Sequence, residues 1–272
     1  MSRNLYHQSG GFGWGFTWIT RVNETDQGTG IGFGILRLKS GEEKDLTSDL
    51  ESAYLLMGGN VIFTFDGGIR SVKRHSIFDE NPFVIHFAAR SAVFLRAESD
   101  CEMAVCQVVN DHMFAPRLFD DESMLEHEER GKGLLNEAAH RSVRTFFNYR
   151  NRPESNMALG ETINFPGRWS SYPPHHHPHP EIYHYRFTKP RGYGHAELGE
   201  NVYKIRQYDT LIIKNNKDHA QVSAPGYGMY YIWVIRHLPG NPYLAPEFTA
   251  DHKWANEPDA EFWGSAKNSG NR

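Results

Sequence analysis

At 272 residues the chain is long enough to bury one large core or two smaller ones without disulfide staples. A formal net charge of −4 argues against nucleic acid as the main partner, and no stretch approaches the roughly 18 apolar residues that would cross a membrane. Cys101 and Cys106 lie five apart in SDCEMAVCQVV, which reads as a strand; that spacing puts them on opposite faces, unbridged. With an N-terminal stretch that lacks the apolar centre of a signal peptide, this leads to the expectation of a reducing, cytoplasmic compartment.

In chain order, most of the sequence reads as short strands between turn residues. GIGFGILRLKSGE alternates and ends in Ser-Gly. SAYLLMGGNVIFTFDGG reads as two strands around Gly58-Gly59-Asn60, closed by Asp66-Gly67-Gly68. FVIHFAARSAVFLRAESDCEMAVCQVV supplies two or three more. The charged stretch FDDESMLEHEERGKGLLNEAAHRSVRTFFNY shows little two-residue alternation and reads as a connector with a helical turn or two. ETINFPGRWSSYPPHHH, EIYHYRFTK, HAELGENVYKIRQYD, TLIIKN and GMYYIWVIRH return to strands rich in β-branched and aromatic residues. The tail from Pro242 is polar, and GSAKNSGNR is expected to fray. Many short strands with frequent turns indicate an all-β sandwich or barrel architecture.

The chemistry concentrates in PPHHHPHPEIYHYRF, residues 173–187. In extended chain His175 and His177 point to one side, and Glu181 returns to it after the Pro178 and Pro180 break. Two imidazoles and a carboxylate suit a first-row divalent metal with open positions; a solvated His-rich loop is the alternative. A fourth ligand must come from another strand, and His219 is the candidate. It follows the apolar run Thr210–Ile213 and a polar turn in which Asn216 tolerates left-handed geometry. Tyr183 and Tyr185 share the parity of Glu181, and Tyr231 and Trp233 sit on a later strand. All four are candidates to face a pocket, with barrel core as the alternative. Tyr183, Tyr185 and Tyr231 are the candidate catalytic side chains. Lys204, Asp209 and Asp218 are further candidates for a base, and Arg186, Arg206, Lys214 and Arg236 for binding an anionic group.

Gly167, His175, His177 and Glu181 together resemble the first cupin metal motif. Tyr208-Asp209, Asn216 and His219 resemble the second, with Tyr208 where glycine is usual. A broader resemblance runs through RSVKRHSIFDENPFVIHF, AESDCEMAVCQV, RGKG, FPGRWSSYPPH and GYGMYYIWV, which are similar to the 5-deoxy-glucuronate isomerases of bacterial myo-inositol catabolism. Those in turn are related to the 5-keto-4-deoxyuronate isomerases of pectin breakdown. Where the family usually has a longer acidic loop, this chain has Pro178-His179-Pro180.

The resemblance implies two cupin (double-stranded β-helix, jelly-roll) barrels. Residues 1–115 would form an N-terminal cupin without metal, 116–145 a connecting segment, and 146–272 the metal-binding cupin with its tail. In keeping with this, His75, His86 and His112 in the first half stand apart from any His-x-His and Glu. The resemblance also implies an aldose–ketose isomerase that converts 5-deoxy-D-glucuronate to 5-dehydro-2-deoxy-D-gluconate. Its cofactor would be a divalent metal, zinc by preference, with manganese, iron or nickel as alternatives. The partner would be a small-molecule sugar acid, and a homo-oligomer is compatible with the resemblance. A metal-dependent cupin dioxygenase, an isomerase acting on 5-keto-4-deoxyuronate and a non-catalytic sugar-binding cupin are the competing readings.

Overall fold

The computed structural model describes residues 4–24, 28–214, 216–257 and 259–263; the expected fraying at GSAKNSGNR lies outside them. The first half carries β1 (Leu5–Tyr6), β2 (Gly15–Thr20), β3 (Gly32–Leu38), β4 (Glu43–Asp45), β5 (Glu51–Phe65), β6 (Gly68–Arg74), β7 (Val84–Phe87), β8 (Val93–Ala97), β9 (Cys101–Val108) and β10 (Arg117–Phe119). The second carries β11 (Glu128–Arg130), β12 (Arg141–Phe147), β13 (Met157–Asn164), β14 (Trp169–His176), β15 (Glu181–Phe187), β16 (Tyr193–Leu198), β17 (Asn201–Arg206), β18 (Thr210–Ile213), β19 (His219–Ser223), β20 (Met229–Arg236) and β21 (Glu247–Phe248). Among the described residues helix is confined to two 3-10 segments, Leu135–Glu137 and Ala250–Asn256, and none is long and apolar enough to cross a membrane. The expected all-β fold is what the chain adopts.

One sheet runs β10-β7-β5-β9-β3-β2, with β6, β8 and β4 joined to the far half of β5. A second runs β1-β18-β15-β20-β13-β12-β11, and a third β17-β16-β19-β14-β21. Strand alternation sorts the apolar side chains into three cores. Leu36, Leu56, Phe63, Leu95 and Met103 fill the interior of the first barrel. Tyr183, Tyr185, Ile205, Leu211 and Tyr231 lie inside the second. Between the two barrels, Phe33, Ile35, Leu55 and Cys106 meet Phe147, Leu159, Ile182, Tyr230 and Ile232. The two-residue period thus gives each central strand one face for its own barrel and one for the partner barrel. Cys101 belongs to the first core and Cys106 to the shared one, both as free thiols on opposite faces.

A carboxylate anchors this shared layer. Glu161 on β13 accepts hydrogen bonds from Arg74 Nη2 (2.7 Å) and Nη1 (3.0 Å), Arg144 Nη1 (3.0 Å) and the Tyr230 hydroxyl (2.7 Å). Arg74 and Glu161 are fully buried, and Arg74 comes from β6 of the first barrel. A second carboxylate, Glu51, takes His86 at 2.8 Å and Ser155 at 2.5 Å, so the lone His86 of the first half is a satisfied core histidine.

Three expectations change. Gly58-Gly59 is not a hairpin turn: β5 runs through it as one bent strand, with a register shift between Leu56 and Gly58. Gly59 has φ +105° and no room for a side chain, since a Cβ would sit 2.5 Å from the Asp100 carbonyl. The bend lets one strand pair with β7 and β9 in its first half and β6 and β8 in its second. The stretch 116–145 is not a plain connector: β10 completes the first barrel's sheet, while β11 and the start of β12 form an edge of the second's. Finally, β1 departs from the assignment of residues 1–115 to the first barrel, pairing with β18 across the molecule.

Candidate metal centre and cavity

The bend in β14 brings the histidines together. After Ser170 the strand breaks register with β19, Ser171 adopts φ +56°, and pairing resumes with His175 directly opposite His219. His177 follows two residues on, past the end of β14, and Glu181 opens β15. The left-handed Asn216 (φ +51°) turns the chain into β19, and Tyr208, where the motif usually has glycine, also holds positive φ (+73°). One ligand atom from each of His175, His177 and His219 lies within 4.8 Å of the others, and all three side chains are buried. Glu181 Oε2 is 3.1 Å from His177 Nε2 and 3.4 Å from His219 Nε2. The four candidates from two distant segments therefore share one point.

The hydrogen bonding around them fits a cation. His177 Nδ1 donates to the His179 carbonyl at 3.0 Å and His219 Nδ1 to the Lys217 carbonyl at 2.9 Å. With the protons held there, a neutral imidazole turns its bare Nε2 lone pair inward, toward a carboxylate that also only accepts. His219 Nε2 is buried with no hydrogen-bond partner of good geometry among the described residues. Burial pushes the His175 pKa well below that of a free imidazole, with repulsion from His219 adding to it. Burial would raise the Glu181 pKa, but a proton added to the inward nitrogen of His177 or His219 would be hydrogen-bonded and attracted to its carboxylate, which holds the pKa down to about 2 and keeps Glu181 ionised. Three imidazoles and one ionised carboxylate aimed at one point, with an orphaned nitrogen among them, form a donor set for a divalent metal.

A cavity of about 380 Å³ opens beside this point. Same-parity residues line it: Glu128 and Arg130 of β11, Arg141, Val143 and Thr145 of β12, Glu181 and Tyr183 of β15, and Tyr231, Trp233 and Ile235 of β20. Gly160 lies opposite Trp233, and its missing side chain makes room for the indole, which a Cβ would meet at 2.2 Å. The loop after β20 covers one side, with Tyr243 packed on His177 at 4.8 Å between ring centroids. That loop is tied down by His179 Nε2 donating to the Asn241 carbonyl at 2.8 Å.

Of the candidate tyrosines, Tyr183 and Tyr231 line the cavity and Tyr185 does not. The Tyr185 hydroxyl donates to Gln221 Oε1 at 2.5 Å within the barrel core. Tyr231 and Ser170 share a hydrogen bond at 2.6 Å. Burial, reinforced by the charge of Glu181, raises the Tyr183 pKa well above its ordinary value and keeps the phenol neutral.

The candidate bases and cations from sequence lie elsewhere. Asp209 pairs with His7, Asp218 with His176 at 2.7 Å, and Lys204 is exposed on β17. Arg186 faces the first barrel, bound to Glu102 at 2.8 Å; Arg236 donates to the Thr29 carbonyl beside a separate cleft; Arg206 is exposed, and Lys214 is not in the cavity lining. Sequence reasoning missed Arg130 and Arg141 because it read their segment as connector. The signal was there: Arg141, Val143 and Thr145 alternate with Ser142, Arg144 and Phe146 in a β-branched and aromatic run.

The sequence pattern of the KduI/IolB family matches residues 5–255. The 5-deoxy-glucuronate isomerase of Geobacillus kaustophilus is 27% identical over 247 residues, covering 84% of this chain and 86% of that protein. The enzyme of the same name from Bacillus velezensis is 25% identical over 230 residues, covering 75% and 80%. Among solved structures, an IolB-like protein from Salmonella typhimurium superposes with a TM-score of 0.79 at 20% identity, covering 94% of this chain and all of that one. Oxalate decarboxylase from Lactobacillus farciminis superposes at 0.68 with 12% identity, over 95% and 91%, a likeness of fold. With a match running through nearly its whole length, the chain belongs to the KduI/IolB family.

Proposed function

We propose that the chain is an aldose–ketose isomerase that converts 5-deoxy-D-glucuronate to 5-dehydro-2-deoxy-D-gluconate, with a divalent metal held by His175, His177, Glu181 and His219. The observation that carries the reading is the convergence of three buried imidazoles and an ionised carboxylate at the wall of a cavity that can take a small sugar acid. Zinc is the preferred metal, and a cytoplasmic location belongs to the same reading.

The chemical difficulty is removing a proton from a carbon next to a carbonyl. A divalent metal, when bound, supplies Lewis acidity that polarises the substrate oxygens. The protein's own groups do the rest. Tyr183, kept neutral by burial, is suited to donating a hydrogen bond to an oxygen that gains negative charge, and unsuited to acting as a base. Tyr231, set by Ser170, offers a second hydroxyl on the same wall. Trp233, Ile235 and Tyr243 give one side of the cavity an apolar surface.

The test is an NMR assay of the purified protein with 5-deoxy-glucuronate in deuterated water, with and without a chelator, alongside an oxygen electrode. Conversion without oxygen uptake, abolished by the chelator and restored by a divalent metal, is the expected result. Oxygen consumption would favour a dioxygenase, and turnover that survives complete metal removal would refute the role given to the four ligands.

A further inference from the structure

Two arginines face each other across the cavity wall. Arg130 on β11 and Arg141 on β12 are direct cross-strand partners, and both side chains line the cavity that holds His175 and Glu181. Like charges in that arrangement are destabilising unless an anion lies between or beside them. Glu128, two residues before Arg130 on the same strand, satisfies only one: its carboxylate binds the Arg130 guanidinium at 2.9 and 2.8 Å. Among the described residues no carboxylate is hydrogen-bonded to Arg141, on which Glu128 acts only through space. Among the described residues its guanidinium makes one hydrogen bond, from Nη1 to the Ala139 carbonyl at 2.7 Å, and its side chain is half-buried. Arg150 adds a third guanidinium to the same cavity. One nearby carboxylate, Glu128, thus serves three guanidinium groups, and a partly desolvated cation with so little counter-charge is costly; here it faces a cavity beside a candidate metal centre.

We propose that Arg141, backed by Arg130, binds the carboxylate of the substrate and thereby orients the sugar acid so that its other end meets the His175–His177–Glu181–His219 cluster. This rests on the isomerase reading only for the choice of substrate; the recognition itself is of a compact carboxylate by a guanidinium. A planar fork suits that task, because two parallel N–H groups match the two carboxylate oxygens. The arginine would act as a specificity-determining residue, selecting uronate-type sugars over neutral ones.

The test is calorimetric titration of the metal-loaded protein with glucuronate as the anionic probe and glucose as the neutral one, at low ionic strength. Arg141→Gln is expected to weaken glucuronate binding about ten- to hundredfold while leaving metal content and any glucose binding unchanged. Arg141→Lys, which keeps the charge and the fold but loses the fork, should fall between. Glu128→Gln, which frees Arg130, should tighten glucuronate binding. In turnover, Arg141→Lys should raise KM more than it lowers kcat. Wild-type protein that fails to bind glucuronate, or an Arg141→Gln variant that binds it as tightly as wild type, overturns the proposal. Wild-type protein that binds glucuronate through Arg141 yet does not convert 5-deoxy-glucuronate leaves the clamp standing and removes the isomerase reading instead.

Discussion

Replacing Glu161 by glutamine tests whether the two barrels are held by a buried charge as well as by apolar packing. The carboxylate takes four hydrogen bonds, two on each oxygen: Oε1 from Arg74 and Arg144, Oε2 from Arg74 and Tyr230. An amide keeps one acceptor oxygen. Its NH2 group then meets the donors of Arg74 and Arg144 if turned one way, and Arg74 with the Tyr230 hydroxyl, which can rotate to accept, if turned the other. Arg74, with no solvent exposure, is left as a buried cation without a counter-charge. Breaking such a pair by removing one partner costs about 3–5 kcal/mol. With a urea dependence near the upper end of about 1–3 kcal/mol per molar, the unfolding midpoint should drop by about 1–1.7 M. Urea unfolding followed by far-UV circular dichroism measures this directly. Adding Arg74→Met to Glu161→Gln should recover part of the loss, because the stranded charge is gone while Arg144 keeps its bond to the Glu80 carbonyl. A Glu161→Gln midpoint within about 0.3 M of wild type, equivalent to less than about 1 kcal/mol, would refute the reasoning.

Two further outcomes concern the metal centre and its wall. His177→Ala should retain native circular dichroism but lose about ten- to hundredfold or more in metal affinity, with activity falling in parallel; elemental analysis showing undiminished metal would remove His177 from the ligand set. The three tyrosines should separate. Tyr183→Phe should lower kcat by about a hundredfold. Tyr185→Phe should leave kcat near wild type and cost about 1–2 kcal/mol of stability, because it strips Gln221 of its donor. Equal losses of kcat in both variants would show that cavity lining does not separate a working phenol from a structural one.

The all-β fold and the four converging side chains were readable in the sequence because both depend on local periodicity. His175 and His177 share parity, and a left-handed Asn216 before His219 sets up the return strand; the structure places His175 and His219 side by side. What escaped was non-local. Tyr183 and Tyr185 have identical parity, yet only Tyr183 lines the cavity, because Gln221 of another sheet captures the Tyr185 hydroxyl. Arg186 and Arg236 point the other way on their strands and spend their charge on the first barrel and on Thr29. The pair Gly58-Gly59 signals a turn by composition. Its real role, passing one strand between two sets of partners, depends on the close approach of Asp100. Arg130 was hidden because a three-residue edge strand, flanked by charged residues, has too few positions for alternation to register, and Arg141 because the alternating strand it opens was read as part of the charged connector.

Leu5 and Tyr6 pair with Leu211 and Thr210, and the Asn4 carbonyl accepts from the Ile212 amide at 2.7 Å. A ribosome therefore makes these residues some two hundred positions before their partner exists. While the chain emerges, this partner is not yet available to them, and it becomes so only once β18 has been made. Removing the first dozen residues would bare the β18 edge, inviting a strand from another molecule to take the vacant place.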